Sequence, residues 1–187
     1  MVKLHSIADN LLNSRFGKYM TNPNASDTAV KIATVSNITK DGVNCAYYVI
    51  QSLNNQKIPE ENRTFVAGMD FANGVLNVVG QAVIGTWIGK WAGEVFDKKL
   101  APKYFSEDIY KSTYKQINQN IRYEEFANMM NKYKNFSKTG LKVITALVGM
   151  QIVSKRIITP LLATPMASII KEPLEKWSKK KIEKTEN

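Results

Sequence analysis

Cysteine and histidine are almost missing: Cys45 and His5 are the only ones in 187 residues. One thiol cannot close an internal disulfide, and it cannot build a multi-cysteine zinc site. One imidazole excludes schemes that need two. No phosphate loop, nucleophile elbow, metal motif or dinucleotide fingerprint is present. The expectation is therefore a chain with no catalytic residue, no metal and no cofactor, and with no evident small-molecule substrate. Acid is the scarce charge: 26 Lys and Arg face 16 Asp and Glu, a formal +10 that favours anionic partners. A hydrophobic fraction of 44% with 22% charged residues excludes global disorder.

The charge is unevenly placed. Residues 63–89 hold only Arg63 and Asp70, and residues 143–170 only Lys155 and Arg156. Residues 90–142 hold eleven basic and six acidic side chains, and the tail from Lys171 holds six lysines. Apolar blocks thus alternate with lysine-rich ones, as a buried core or a bilayer would require.

Spacing predicts an all-α fold of about six helices in one domain over 1–170, with a basic tail over 171–187. An amphipathic helix is expected over 1–22, carrying Leu4, Ile7, Ala8, Leu11, Leu12 and Phe16 on one face. The Asn22-Pro23 turn ends it. A second helix starts near Thr28, with an interruption expected at Lys40-Asp41-Gly42, since Asp-Gly favours turns. The third, glycine-rich helix covers 59–98, opened by Pro59-Glu60-Glu61 and ended by Leu100-Ala101-Pro102. A fourth carries Tyr110, Tyr114 and Ile117, and a fifth carries Phe126, Met129 and Tyr133. Thr139-Gly140 is expected to break the chain before the apolar block 141–170, which Pro160 and Pro165 should kink or stop.

The most specific feature is Gly85, Gly89 and Gly93, spaced four apart and so on one helix face. A face without Cβ atoms admits a neighbouring helix closely. Each glycine costs about 0.5–1 kcal/mol relative to alanine, so a row of three implies a compensating contact. Gly74 and Gly80 do not keep that face. Trp87 and Trp91, on another face, are candidate membrane-interface anchors. Phe71–Gly89 is uncharged for nearly the length needed to span hydrocarbon, although Asn73, Asn77, Gln81 and Thr86 moderate it. In the second block, Lys155 and Arg156 interrupt any single span.

Asp70 lies in an apolar stretch and needs a partner, with Arg63, Lys155 and Arg156 as candidates. Between Lys103 and Lys138 cations interleave with aromatics. Lys111, Lys115, Arg122, Lys132 and Lys134 are the candidate contacts to an anionic ligand such as single-stranded nucleic acid. The plainer reading places the aromatics in a core and the lysines in solvent. His5 reads as solvated and Cys45 as a small packed residue.

The preferred function is a non-catalytic structural or assembly protein whose glycine face meets partner helices, with a protein partner or a second copy expected. The alternatives are a membrane-associated helical hairpin with basic flanks on an anionic surface, and a basic nucleic-acid-associated protein, as in a virion. The N-terminus lacks the apolar core of a secretory signal, so an intracellular or virion-interior site is expected.

Overall fold

The computed structural model describes residue 10 and residues 12–22, 24–116 and 121–183; His5, Leu4, Ile7, Ala8, Leu11, Pro23 and Ile117 lie outside the described residues. Every regular element among the described residues is helical. They are α1 (Arg15–Met20), α2 (Ala25–Asn54), α3 (Glu60–Val95), α4 (Ala101–Tyr104), α5 (Glu107–Gln116), α6 (Tyr123–Gly149) and α7 (Thr159–Glu183). Two π-helical segments, Phe96–Leu100 and Met150–Ile158, join α3 to α4 and α6 to α7. Among the described residues helix groups into four long runs, not the expected six: α2, the run from α3 through α4, α5, and the run from α6 through α7; Phe105 and Ser106 separate α4 from α5, and α1 is a short helix ahead of them.

Local chemistry sets the starts and stops. Ser14 Oγ accepts from the Gly17 N–H at 2.9 Å and caps α1. Asn22 Oδ1 then accepts from the Asn24 N–H at 3.0 Å, turning the chain into α2. After α2, Asn55 Oδ1 accepts from the Lys57 N–H at 3.0 Å. The Pro59 carbonyl accepts from Asn62 and Arg63 as α3 begins.

The expected breaks at Lys40-Asp41-Gly42 and Thr139-Gly140 do not occur; both lie inside continuous helix. Asp41 is buried and bonded to side chains of other segments, which outweighs its turn preference. Pro102 does not end the third helix either. It sits at the start of α4, directly after the π segment Phe96–Leu100. The helix also continues through Pro160, Pro165 and Pro173. Just before Pro160 the chain is wound in the wider π register, and the Thr159 N–H reaches back to the Ser154 carbonyl.

The chain divides into two compact units. The first comprises Met1–Ala33 and Thr86–Leu147, the second Thr34–Gly85 and Val148–Asn187. The first buries Leu12, Met20, Val30, Phe96, Tyr110 and Phe126 together with several alanines, an ordinary apolar core. The second is different. Its buried apolar residues among those described are Ala67, Ala72, Ala163, Ala167 and Met150. Its other buried positions among those described are the glycines Gly68, Gly74, Gly80, Gly85 and Gly149 and the polar Thr34, Asp41, Ser52, Gln81, Ser154 and Thr159.

Candidate functional site

The inner face of α3 within the second unit carries Asp70, Gly74, Asn77, Gln81 and Gly85. Steps of three and four residues keep these on one side over about 22 Å at 1.5 Å per residue. Each meets a polar or small group. Ser52 Oγ donates to Asp70 Oδ2. Cys45 Sγ lies 3.9 Å from the carbonyl oxygens of Asp70 and Phe71, and the Cys45 side chain fills the space where Gly74 lacks a Cβ. Thr159 Oγ1 donates to Asn77 Oδ1 at 2.8 Å, and Ser154 Oγ reaches the Asn77 carbonyl at 3.5 Å.

The seam centres on Asp41. Its Oδ2 accepts from Gln81 Nε2 and lies 2.8 Å from Lys155 Nζ. The Asp41 side chain is 8% exposed and that of Lys155 24%. Three segments thus contribute one member each: α2 the carboxylate, α3 the amide, and the π segment the ammonium. The wide π turn presents Ser154 to the Asn77 carbonyl and the following Lys155 to Asp41. Two buried oxygens, Gln81 Oε1 and Thr34 Oγ1, have no hydrogen-bond partner among the described residues. Leaving such a group unmade costs about 1–3 kcal/mol. The charge partner expected for Asp70 is not the one found. No ion pair joins Asp70 to Lys155 or Arg156; Lys155 belongs to Asp41, and Arg156 is exposed. Arg63 turns instead to the Ile58 carbonyl, donating through Nε at 2.9 Å.

The five glycines of α3 with described neighbours all face side chains of this same chain. In the second unit, a Cβ on Gly80 would overlap Ser154, and one on Gly85 would lie 2.8 Å from Met150 Sδ and 2.9 Å from Thr34 Oγ1. In the first unit, a Cβ added to Gly89 would lie 3.1 Å from Val30 Cγ1, and one added to Gly93 3.2 Å from Lys142 Cδ. Sequence spacing singled out Gly85, Gly89 and Gly93 and set Gly74 and Gly80 aside, although these two meet the tightest surroundings.

In the first unit the basic–aromatic stretch closes on itself. Tyr110 packs edge-on against Phe126 at 6.5 Å, and Tyr114 lies 5.5 Å from Phe126 and 5.3 Å from Tyr123 between ring centres. Tyr114 Oη donates to the Ile121 carbonyl at 2.8 Å. Lys111 pairs with Glu107 at 2.8 Å, and Arg122 with Glu125 at 3.0 Å. The Lys111 contact holds the Glu107 carboxyl below its usual range and raises the Lys111 ammonium, while burial pushes the Tyr110 phenol up. Lys115 and Lys132 are exposed and Lys134 is half-buried. Tyr110, Tyr114, Tyr123 and Phe126, which would stack on bases, are therefore packed on each other, while Tyr104 is exposed. Deeper in the unit, Lys142 Nζ donates to Ser26 Oγ at 3.2 Å and to Asp27, whose carboxyl is held low chiefly by that bond. Lys138 pairs with Asp97 at 2.6 Å.

The large apolar side chains lie outside. Trp87 is 65% and Trp91 55% exposed. In the second unit, Val35, Val43, Ile50, Val79, Val83, Ile152, Leu161 and Ile169 are all exposed. The run Asn62–Gln116 is the one helical stretch among the described residues long and apolar enough to cross a membrane, and only 28% of its most apolar window is buried. Among the described residues, no three His, Cys, Asp or Glu side chains converge as metal ligands would. No family model, no curated protein and no solved structure matches the chain.

Proposed function

We propose that the chain is a non-catalytic, membrane-associated helical protein. In this reading the uncharged stretch of α3, residues 71–89, lies in hydrocarbon, and segments of α2 and of the α6–α7 run cover its polar inner face. One observation carries it: the second unit turns alanine, glycine and polar side chains inward and fully buries none of its described valines, isoleucines and leucines, about half of which are exposed. In water that distribution is unfavourable, because each large aliphatic side chain left exposed forgoes about 1.5–3 kcal/mol. In lipid the outside costs nothing. Small residues then let helices approach, and inward polar groups bond where no water competes. The Asp41–Lys155 pair fits that setting, since a charge inside a bilayer is tolerated when a partner neutralises it. The glycine face is filled from within the chain, so contact with lipid or another protein passes to the outward aliphatic and tryptophan side chains.

A second reading is favoured by Lys40 and Arg156, which are exposed within the second unit. Here the aliphatic surface is covered by a protein partner or a second copy, and the chain is a soluble assembly component. Fractionation separates the two. Membrane residence predicts retention in the pellet after alkaline carbonate and release by detergent. Release by carbonate as an oligomer selects the assembly reading, and a stable detergent-free monomer overturns both.

A further inference from the structure

The exposed side chains of the two units differ in kind. Among the described residues, five of the nine large apolar side chains exposed on the first unit are aromatic, against three of fourteen on the second. The charge divides likewise. The first unit's sequence holds fifteen basic and eight acidic residues; the second, without the tail from Lys171, holds five and four. We propose that the first unit docks on anionic phospholipid headgroups through exposed aromatic rings flanked by cations; the proposal rests on the membrane reading above and names the lipid.

Three pairs carry the argument: Lys18-Tyr19, Lys90-Trp91 and Lys103-Tyr104. All six residues are exposed. None of the three lysines is in an ion pair among the described residues, unlike Lys98, Lys111 and Lys138 of the same unit. Lys103 Nζ sits 5.2 Å from the centre of the Tyr104 ring, so the charge and the ring are presented together. Tyrosine and tryptophan settle where hydrocarbon meets water because their bodies are apolar and their tips polar, and lysine extends from there to phosphate. Single-stranded nucleic acid asks for the same cations but needs rings free to stack in series. Within the Lys103–Lys138 stretch Tyr110, Tyr114, Tyr123 and Phe126 are taken up by each other, and the exposed Tyr104 stands apart from them, which favours lipid.

An anionic surface attracts each nearby lysine by a factor of about five, so three contribute roughly a hundredfold. The test is flotation of the full-length chain, diluted from detergent, with vesicles of phosphatidylcholine alone or of phosphatidylcholine mixed with phosphatidylglycerol, which supplies the negative surface. The expected result is flotation with both, a large preference for the anionic vesicles at low salt, and loss of that preference in the variant Lys18→Gln/Lys90→Gln/Lys103→Gln. That variant should still float with neutral vesicles and keep the wild-type circular dichroism spectrum. Equal partition of the wild type between the two vesicles overturns the lipid proposal and leaves the membrane reading standing. So does an anionic preference that survives in the variant. Failure to float with either vesicle removes the membrane reading itself. Displacement from anionic vesicles by an equimolar single-stranded oligonucleotide transfers the surface to nucleic acid.

Discussion

Replacing Gly74 with alanine should destabilise the protein, whereas the same change at Gly42 or Gly140 should stabilise it. All three glycines lie within helices, so each substitution gains about 0.5–1 kcal/mol of helix preference. Gly42 and Gly140 face open space, with no heavy atom within 4 Å of an added Cβ, and should keep that gain. At Gly74 the added Cβ would overlap both Sγ and Cβ of Cys45 and lie 3.4 Å from the Cys45 Cα. Rotating the thiol moves Sγ but leaves Cβ where it is, so α2 and α3 must separate locally. Overpacking of this kind costs about 1–3 kcal/mol. The net expectation is a loss of roughly 1–2 kcal/mol for Gly74→Ala, or a Tm about 2–8 °C lower in a chain of this size. Thermal unfolding followed by far-ultraviolet circular dichroism, in one detergent for all variants, reads both signs. A Gly74→Ala protein as stable as Gly140→Ala would refute the claim that the helices meet at backbone distance there.

The buried ion pair predicts asymmetry. Lys155→Met strands the nearly buried Asp41 carboxylate and should cost about 3 kcal/mol, whereas Asp41→Asn leaves a lysine that reaches solvent and should cost about 1 kcal/mol. The double variant should recover most of the larger loss, since the amide oxygen introduced by Asp41→Asn can still accept from Gln81; denaturant midpoints measure all three, and equal single losses would contradict the geometry. Thr34→Val removes a buried hydroxyl without a partner while keeping its shape, and should be neutral or stabilising by about 1 kcal/mol in the same assay. Asp27 sets a pH dependence. Its bond to Lys142 lowers the folded pKa below the ordinary 3.8, so its contribution is complete well above that value and fades as pH falls through the lowered one. Asp27 is 71% exposed, so solvent screens the pair and the effect is small. An Asp27→Asn variant should flatten the stability profile below pH 4, and an unchanged acid limb would remove the pair from the account.

Helical class was readable from spacing alone, because apolar residues recurring every three or four positions specify a helix whatever surrounds them. The continuity of those helices was not. Asp41-Gly42 and Thr139-Gly140 carry turn chemistry, and what holds Asp41 in helix is Lys155, more than a hundred residues away, together with Gln81. The same distance hid the central cluster: nothing local to Asp41, Gln81 or Lys155 announces the other two. Asp70 stood out as an acid in an apolar run, but its partner proved to be the hydroxyl of Ser52, a residue type with no charge to search for.

The glycine pattern shows where the division falls. Fourfold spacing at Gly85, Gly89 and Gly93 announced close approach along one line. Gly74 shares the side of Gly85 but falls outside the fourfold register, meeting Cys45 in α2, and Gly80 turns to another side, where it meets Ser154 in the π segment. A helix with two partners needs two faces, and a search for one periodicity sees only the longer row. The sequence by itself determined that the chain is helical, basic and built around a charge-poor glycine helix, since these follow from short-range sterics and from composition. Only the tertiary structure decided which side chains turn inward. That choice is made by pairing between segments far apart in the chain, and it sends aspartate, glutamine and alanine to the inside of the second unit and leaves none of its described valines and isoleucines fully buried.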